Sequence, residues 1–195
     1  MGKRGYRPRS VRLLPIDVSR FTFYPSTQTR SDRDMISPTH TDWMRETLSL
    51  ADAAEELGEV PVAALVVLEG CIIGRGYNRN IIDCDPSAHA EIVAMREAGR
   101  AIGNHRLVGA TLYCTLEPCL MCAGAIVHAR LARLVFAADD PKTGAVGSVF
   151  DVLGDARHNH RVDVVRGVMA LESGERLRAF FKAKRTQEKG RRNGD

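Results

Sequence analysis

The two most informative stretches of the sequence are His89-Ala90-Glu91 and Pro118-Cys119-Leu120-Met121-Cys122. Together they supply one imidazole, two thiols and one carboxylate. A structural zinc site is closed by four protein ligands, whereas a catalytic site keeps three and leaves the fourth position to water. We therefore predict that His89, Cys119 and Cys122 bind one Zn²⁺ per subunit. Glu91 is not needed as a ligand and is free to transfer protons.

Local patterns place the first stretch at the beginning of a helix. Residues 86–101 combine Ser87, a good N-cap, with helix-favouring alanine, glutamate, methionine and arginine. His89 and Glu91 are two positions apart, so they project about 200° apart around a helix axis. The imidazole can bind the metal directly while the carboxylate reaches the fourth position from another side.

The second stretch has the pattern of another helix start. Pro118 suits the first helical position, where its missing N–H costs nothing. Cys119 and Cys122 are three residues apart and share a face of that helix. Near its N-terminus the helix dipole favours the thiolate form that binds metal.

A Cys-x-x-Cys pair has two other interpretations, a redox pair and half of a four-cysteine structural zinc site. The remaining cysteines, Cys71, Cys84 and Cys114, form no second Cys-x-x-Cys. A redox pair would not require His-x-Glu at a helix start. The catalytic zinc site is the interpretation that uses both stretches.

Length and composition set the broad class. A chain of 195 residues fits one domain with a sizeable core. The sequence has no apolar run long enough for a membrane-spanning helix and no secretory signal pattern, so no membrane partner is expected. Five cysteines without a disulfide framework favour a reducing compartment, and we predict a cytoplasmic protein.

Positive charge is concentrated at the two ends of the chain. Residues 1–34 contain eight Lys/Arg and three Asp/Glu, and residues 175–195 contain the same numbers, so each segment carries +5. Since the total is +4, the middle carries −6. A basic C-terminal segment is typical of proteins that bind a polyanion such as RNA. The alternative is a solvated helix end that confers solubility.

Periodicity predicts nine elements in the order α-β-β-α-β-α-β-β-α. An α/β fold follows, with a mixed five-stranded sheet, helices on both faces and the metal site at one end of the sheet. The predicted helices are 42–57 (capped by Asp42), 86–101, 118–129 and 173–188 (capped by Ser173). The predicted strands are 60–68, 71–74, 110–115, 131–137 and 162–168, with polar loops at 76–85 and 139–147.

From Trp43 to about Arg185 the chain resembles the bacterial tRNA-specific adenosine deaminases of the cytidine-deaminase superfamily. His-x-Glu with Pro-Cys-x-x-Cys specifies only the superfamily, while the segments after Cys122 resemble the tRNA branch. One departure is Ala63, where the family usually has glycine, and its extra methyl is expected to narrow the pocket slightly. Besides the two stretches above, the matching segments are 59–64 (EVPVAA), 76–79 (GYNR), 140–145 (DPKTGA), 159–161 (NHR) and 180–182 (FFK).

The resemblance implies a three-layer α/β/α cytidine-deaminase-like fold. It implies zinc-dependent hydrolytic deamination of adenosine to inosine at the wobble position of an arginine tRNA. It also implies a homodimer in which both subunits contact the anticodon stem-loop. Residues 38–189 would form this deaminase domain and residues 190–195 a basic tail.

Residues 1–37 have no counterpart in the family pattern. They are rich in Arg, Pro, Ser and Thr and have no helical or strand period. We predict a disordered N-terminal extension or a mis-assigned start, with Met35 as the true first residue. A targeting or RNA-binding arm is the alternative.

The resemblance also assigns substrate contacts. It gives Asn78 to the base and sugar, Val60 and Leu116 to the pocket walls, and the rest to the RNA: Asp140, His160, Phe180, Phe181 and Lys182. Without the resemblance, these residue types have plainer interpretations. Asn78 and Asp140 fit turns, and His160 fits an exposed loop. Residues such as Val60 and Leu116 usually belong to the core, and a phenylalanine pair on an amphipathic helix is more often core packing.

Two rival functions share parts of this pattern. A small-molecule deaminase of the same superfamily would use the same zinc site on guanine, cytosine or a pteridine-like ring. The basic Phe-Phe helix and the Asp-Pro-Lys-Thr-Gly loop favour a macromolecular substrate instead. A non-enzymatic zinc-binding RNA module is the second rival, and Glu91 argues against it because a structural site needs no free carboxylate.

Overall fold

Residues 38–192 form nine helices and strands in the order that the sequence predicts. They are described by a computed structural model, and the extension expected at 1–37 lies outside the described residues, as do residues 193–195. The helices are α1 (His40–Glu56), α2 (Ala90–Ile102), α3 (Leu120–His128) and α4 (Ala170–Arg192). The strands are β1 (Ala63–Leu68), β2 (Cys71–Tyr77), β3 (Thr111–Leu116), β4 (Arg133–Ala138) and β5 (Asp163–Arg166).

The five strands form one mixed sheet in the order β2-β1-β3-β4-β5. β1 is antiparallel to both β2 and β3, whereas β3, β4 and β5 run parallel. The carboxyl ends of β3 and β4 therefore lie at the same edge of the sheet, and the turn that carries Pro118 and Cys119 leaves from that edge. The predicted mixed five-stranded sheet is confirmed.

Helices cover both faces of the sheet, which confirms the three-layer architecture. On one face α1 packs its buried side chains, such as Trp43 and Met44, against Leu65 and Val67 of β1. On the other face α2 and α3 pack against the alternate residues of the same strand, including Ala64 and Val66. This alternation follows from the two-residue period of a strand.

Two glycines of β2 let α2 lie directly on the sheet. A Cβ at Gly74 would stand 2.8 Å from the backbone nitrogen of Ala98, and one at Gly76 would stand 2.5 Å from that of Ala94. Because the obstructing atoms belong to helix backbone, they cannot move aside independently. The close approach fixes the position of α2 and of its first turn, which carries the predicted metal ligand.

Helix α1 begins earlier than the sequence predicts. Its N-cap is Thr39, and Asp42 is the third helical residue. Each side chain accepts a hydrogen bond from the other's backbone N–H, at 3.3 Å to Thr39 Oγ1 and 2.9 Å to Asp42 Oδ2. Both residue types suit an N-cap, and the reciprocal capping box assigns that position to the threonine.

The strand predicted at 60–68 begins only at Ala63. Pro61 cannot donate to a ladder, and the N–H of Val62 bonds to the carbonyl of Val60 at 2.7 Å in a tight turn. The next strand extends further than predicted, because Gly76 and Tyr77 pair with β1 rather than joining the polar loop.

The last helix also begins before its predicted cap. It starts at Ala170, and Ser173 is buried, with its hydroxyl donating to the carbonyl of Thr115. The backbone of α4 continues to Arg192, so the tail predicted at 190–195 is helical over its first three residues.

The helices and the cysteines of residues 38–192 bear on the expectations about membrane spans and disulfides. Within residues 38–192, no helix combines the length and apolar character needed to cross a bilayer. The same range contains all five cysteines, and each is a free thiol.

Candidate metal centre and active site

Two helix N-termini bring the three predicted ligands together. His89 is the N-cap residue of α2 and Cys119 is the N-cap residue of α3, both with extended backbone conformations. The helices therefore begin one residue after each ligand, later than Ser87 and Pro118 predict. Cys122 lies in the first turn of α3 and is fully buried.

The ligand atoms have the spacing of a tetrahedral zinc site. His89 Nδ1 lies 3.6 Å from Cys119 Sγ and 3.7 Å from Cys122 Sγ. With Zn–N and Zn–S distances of about 2.05 and 2.3 Å, tetrahedral angles place nitrogen and sulfur about 3.6 Å apart. All three ligand atoms lie within 4.8 Å of one another. The donor set and its spacing thus fit one zinc ion with a fourth position left over.

Hydrogen bonds among the three predicted ligands shift their pKa values. Hydrogen bonds from Cys122 and His89 lower the pKa of Cys119 to about 4 despite its partial burial. The pKa of Cys122 is raised, because its proton is held against the Cys119 sulfur and its own site is desolvated. The hydrogen bond to Cys119 likewise raises the pKa of His89. A metal ion would take over the role of these shared protons.

Glu91 has the environment of a general acid and base. Its side chain is only 4 % exposed, and burial raises the pKa of its carboxyl. The side chains of His89 and Cys122 also influence this pKa, so Glu91 stands beside the ligands. A carboxyl with a raised pKa can accept and return a proton near neutral pH.

Asn78 supplies the cap that the first turn of α2 requires. Its Oδ1 accepts a hydrogen bond of 3.0 Å from the N–H of Ala90, the residue between the ligand and the candidate acid-base. Ser87, the cap that the sequence predicts, is instead held by Asp85 Oδ1 through both its N–H and its hydroxyl. Because its oxygen is occupied, the amide of Asn78 has a defined orientation, with its NH₂ group as a donor.

Two buried glutamates that the sequence analysis missed hold the loops around the site. Glu59 is 1 % exposed and accepts hydrogen bonds from the N–H groups of Ile81 and Ile82, at 2.7 and 2.9 Å, in the loop after Asn78. Glu117 is 2 % exposed and binds the loop that follows β4. Burial raises the pKa of Glu117, but hydrogen bonds from Ser148 and from backbone N–H groups outweigh burial and lower it. An acidic residue at a strand end was the only signal in the sequence.

A basic cleft of about 840 Å³ contains most of the predicted substrate residues. It lies between α4, the start of β1 and the loop after β4. Three basic residues that were not predicted, Lys142, Arg178 and Arg185, line it as well. The predicted residues in its lining are Val60, Leu116, Asp140, Phe181 and Lys182.

Two of these cleft residues, Asp140 and Phe181, differ in what their side chains do. Asp140 accepts hydrogen bonds from the N–H groups of Lys142 and Thr143, at 2.9 and 3.3 Å, and from the Thr143 hydroxyl at 2.6 Å. It thus forms the turn that residue types alone predict. Phe181 is 45 % exposed and presents one ring to the cleft.

Phe180 and His160 lie elsewhere. Phe180 is 6 % exposed, so the stacking surface expected of the phenylalanine pair falls to Phe181 alone. Its ring packs edge-on against Phe181, with the Lys184 ammonium 5.4 Å from the ring centroid. His160 Nε2 lies 2.7 Å from the carbonyl oxygen of Leu131, at the amino end of β4. The candidate centre lies at the other end of the sheet.

The extra methyl of Ala63 does not face α2. Ala63 alternates with Ala64 and shares the sheet face of Leu65 and Val67, which pack against α1. Its N–H donates to Thr115 Oγ1 at 3.1 Å. Strand alternation therefore directs this methyl toward α1. Its effect on the width of the pocket stays a prediction.

Comparisons with known proteins agree with this geometry. A family model for MafB19-like deaminases matches residues 38–185. The tRNA-specific adenosine deaminase of Haemophilus influenzae is 52 % identical over 147 residues, covering 75 % of this chain and 85 % of its own. That of Bacillus subtilis is 46 % identical over 150 residues, with coverages of 77 % and 93 %.

Two solved structures have a similar fold. A structure from a study of A-to-I editing by tRNA:A34 deaminases at the wobble position is 46 % identical, with a TM-score of 0.68, covering 70 % of this chain and 99 % of its own. A guanine deaminase from Nitrosomonas europaea is 26 % identical, with a TM-score of 0.62 and coverages of 74 % and 85 %. The chain belongs to the MafB19-like deaminases and, within them, to the tRNA-specific adenosine deaminase family.

Proposed function

We propose that this chain is a zinc-dependent hydrolytic deaminase that converts adenosine to inosine at the wobble position of an arginine tRNA. The observation that carries the proposal is the convergence of three metal-binding side chains beside the buried carboxyl of Glu91. The relatives, which are tRNA-specific adenosine deaminases, support the choice of substrate.

The residues divide the chemistry between them. His89, Cys119 and Cys122 would hold the zinc, which supplies a Lewis acid that makes water nucleophilic near neutral pH. Glu91 accepts the proton of the water that attacks C6 of adenine. It then delivers protons to the ring nitrogen and to the leaving amine, so that adenosine and water become inosine and ammonia. The NH₂ group of Asn78 would donate to the bound nucleoside.

The cleft is suited to a single-stranded RNA loop. An anticodon base is unpaired and costs less to extrude than a base in a duplex. Phe181 offers a face for base stacking, and Lys142, Lys182 and Arg185 offer positive charge to phosphates. Val60 and Leu116 contribute the apolar wall of the same cleft.

We further propose that the protein acts as a cytoplasmic homodimer. Leu120 and Met121, next to the ligands on α3, are 49 % and 38 % exposed. Apolar side chains exposed beside an active site are typical of surfaces that a partner covers. Light scattering of the zinc-loaded protein would give the mass of a dimer, and the mass of a single chain would contradict this part of the proposal.

One assay separates the candidate substrates. Zinc-loaded protein is incubated with an arginine tRNA that has adenosine at the wobble position, in parallel with free adenosine, cytidine, cytosine and guanine. We expect inosine at the wobble position only, detected by sequencing. Turnover of a free base or nucleoside without tRNA editing would move the protein to the small-molecule branch. Metal-replete protein that binds tRNA and turns over nothing would support a binding module.

A further inference from the structure

We propose that Glu117 is a positioning residue. Its carboxylate holds the loop from Asp139 to Ser148 between the basic cleft and the metal-binding turn, which is formed by Pro118 and Cys119. The inference rests on the proposed function, since it concerns the same site. Glu117 directly precedes Pro118, so any hydrogen bond that it makes to a distant loop ties that loop to the turn of the metal ligands.

Four donors converge on this one side chain. Its Oε1 accepts from the N–H groups of Val146 and Ser148 at 2.9 and 3.0 Å. Its Oε2 accepts from the N–H of Asp140 at 3.0 Å and from the Ser148 hydroxyl. The carboxylate is 2 % exposed, and these contacts bind both ends of the loop.

The loop has one side toward the ligands and one toward the cleft. Ala145 donates to the carbonyl of Pro118 at 2.8 Å, and Gly144 forms a bridge with Cys119. A Cβ at Gly144 would overlap the Glu117 carboxylate, so only glycine permits this approach. Residues 139–143 of the same loop line the cleft.

The geometry assigns different work to the two oxygens. Oε1 holds the part of the loop next to the metal-binding turn, which Pro118 and Cys119 also hold. Oε2 holds the N–H of Asp140, where the cleft rim begins. Loss of the Oε2 contact should therefore loosen the rim and leave the metal ligands in place.

Glu117→Gln tests this division. The amide keeps one oxygen and gains an NH₂ group. On the Oε2 side, the Ser148 hydroxyl can accept a hydrogen bond from this NH₂ group. On the Oε1 side, the partners are the backbone N–H groups of Val146 and Ser148, which can only donate. The glutamine should therefore leave Asp140 N–H without its acceptor. We expect KM for the tRNA to rise about tenfold, as for loss of one hydrogen bond to a charged group. The turnover number and the zinc affinity, measured by chelator competition, should stay near wild type.

Ser148→Ala is the matched control, because it removes the hydroxyl from the same carboxylate but leaves all three backbone donors. Its KM should stay within about twofold of wild type, as for loss of an exposed side-chain contact. A purely structural role would lower the melting temperature and the active fraction of Glu117→Gln without changing KM. Wild-type KM in folded Glu117→Gln would overturn the proposal. If that variant does not fold, Glu117→Asp replaces it, since the shorter side chain cannot reach both ends of the loop. Wild-type KM there would overturn the proposal equally.

A second readout does not depend on the reaction. Amide hydrogen exchange in Glu117→Gln should be faster at Asp140 and unchanged at Val146, relative to wild type. Equal protection of Asp140 in both proteins would overturn the positioning role even if the wild type edits tRNA. If the wild type produces no inosine, the proposed function fails, and the exchange rates alone decide the role of Glu117.

Discussion

At the scale of single residues, a change at Glu91 should separate metal binding from the proposed proton transfer. The Glu91→Gln variant keeps the size of the side chain and removes its ability to accept a proton. We expect full zinc content, measured by atomic emission, and a fall in turnover of about 10²- to 10⁴-fold, as for loss of a general acid-base. Cys119→Ser should instead lose zinc first. Near wild-type turnover in fully metallated Glu91→Gln would remove Glu91 from the chemistry.

Asn78 should have two separable roles, one for each end of its amide. Asn78→Asp keeps an acceptor for the N–H of Ala90 but loses the NH₂ donor, whereas Asn78→Ala loses both. Loss of an N-cap acceptor costs about 1 kcal/mol. We expect the alanine variant alone to lose this free energy of unfolding in urea, while both variants edit tRNA poorly. Equal stability of the two variants would show that the cap contributes nothing.

Residue types and spacing were enough to predict that His89, Cys119 and Cys122 come together, because metal chemistry restricts both strictly. The same reasoning missed Glu59 and Glu117. A glutamate that holds a distant loop by accepting backbone hydrogen bonds has no local pattern, since its partners can be any residue type. In this chain the donors come from Ile81, Ile82 and Val146, as well as from polar residues.

At the scale of secondary-structure elements, α4 places adjacent phenylalanines in different environments. Phe180 is 6 % exposed and Phe181 is 45 % exposed. We expect Phe180→Ala to lower the free energy of unfolding by about 3–5 kcal/mol. Phe181→Ala should change stability by less than about 0.5 kcal/mol, as at other surface positions, and raise KM for the tRNA. Each variant is the control for the other, and a stability loss in Phe181→Ala like that of Phe180→Ala would contradict the assignment.

Helix α1 should make stability depend on pH through His40. Its Nδ1 lies 2.9 Å from the Tyr113 hydroxyl, and partial burial, with the nearby Arg133, lowers its pKa from the ordinary 6.5. A pKa lowered by folding means that the unfolded chain binds the proton more tightly. The stability that His40 contributes is therefore complete above pH 6.5 and declines as pH falls through the folded pKa. The free energy of unfolding, measured in urea from pH 7.5 to 5, should depend less steeply on pH in His40→Gln than in wild type. Equal slopes would exclude His40 as the cause of the pH dependence.

The order of the elements followed from hydrophobic periodicity, but several helix starts did not. At α1, α2 and α4, an Asp or Ser that suits an N-cap lies near the true start. At α2 and α4, tertiary contacts decide where the helix begins: Asn78, from a different loop, caps α2, and Ser173 binds β3. At α1 the local capping box of Thr39 and Asp42 decides it. The direction of Phe180 had the same kind of cause, since neighbouring residues on a helix differ by 100° and packing selects which one faces inward.

At the scale of the whole molecule, basic side chains from two parts of the chain line one cleft, and the sequence predicts only some of them. The sequence alone leaves two interpretations of the basic C-terminal segment, an RNA-binding surface and a solvated helix end. The structure gathers Arg178, Lys182 and Arg185 from that segment into one cleft, together with Lys142 from the loop after β4. Lys142 lies outside the basic segment, so only the fold shows that the four charged side chains line one cleft.

This arrangement should make tRNA binding depend on salt to a definite extent. If four cationic side chains contact phosphates, the plot of log affinity against log salt should have a slope of about −3. Arg178→Gln and Arg185→Gln should each reduce the magnitude of that slope by about one and weaken binding to all anticodon sequences alike. The matched control is Arg45→Gln on α1, which removes the same charge from a side chain that is 63 % exposed and paired with Asp42. Affinities measured by fluorescence anisotropy from 50 to 300 mM salt would decide between two causes. If Arg45→Gln reduces the slope as much as the cleft variants do, the net charge of the molecule governs binding; if it leaves the slope unchanged, the cleft is where RNA is held.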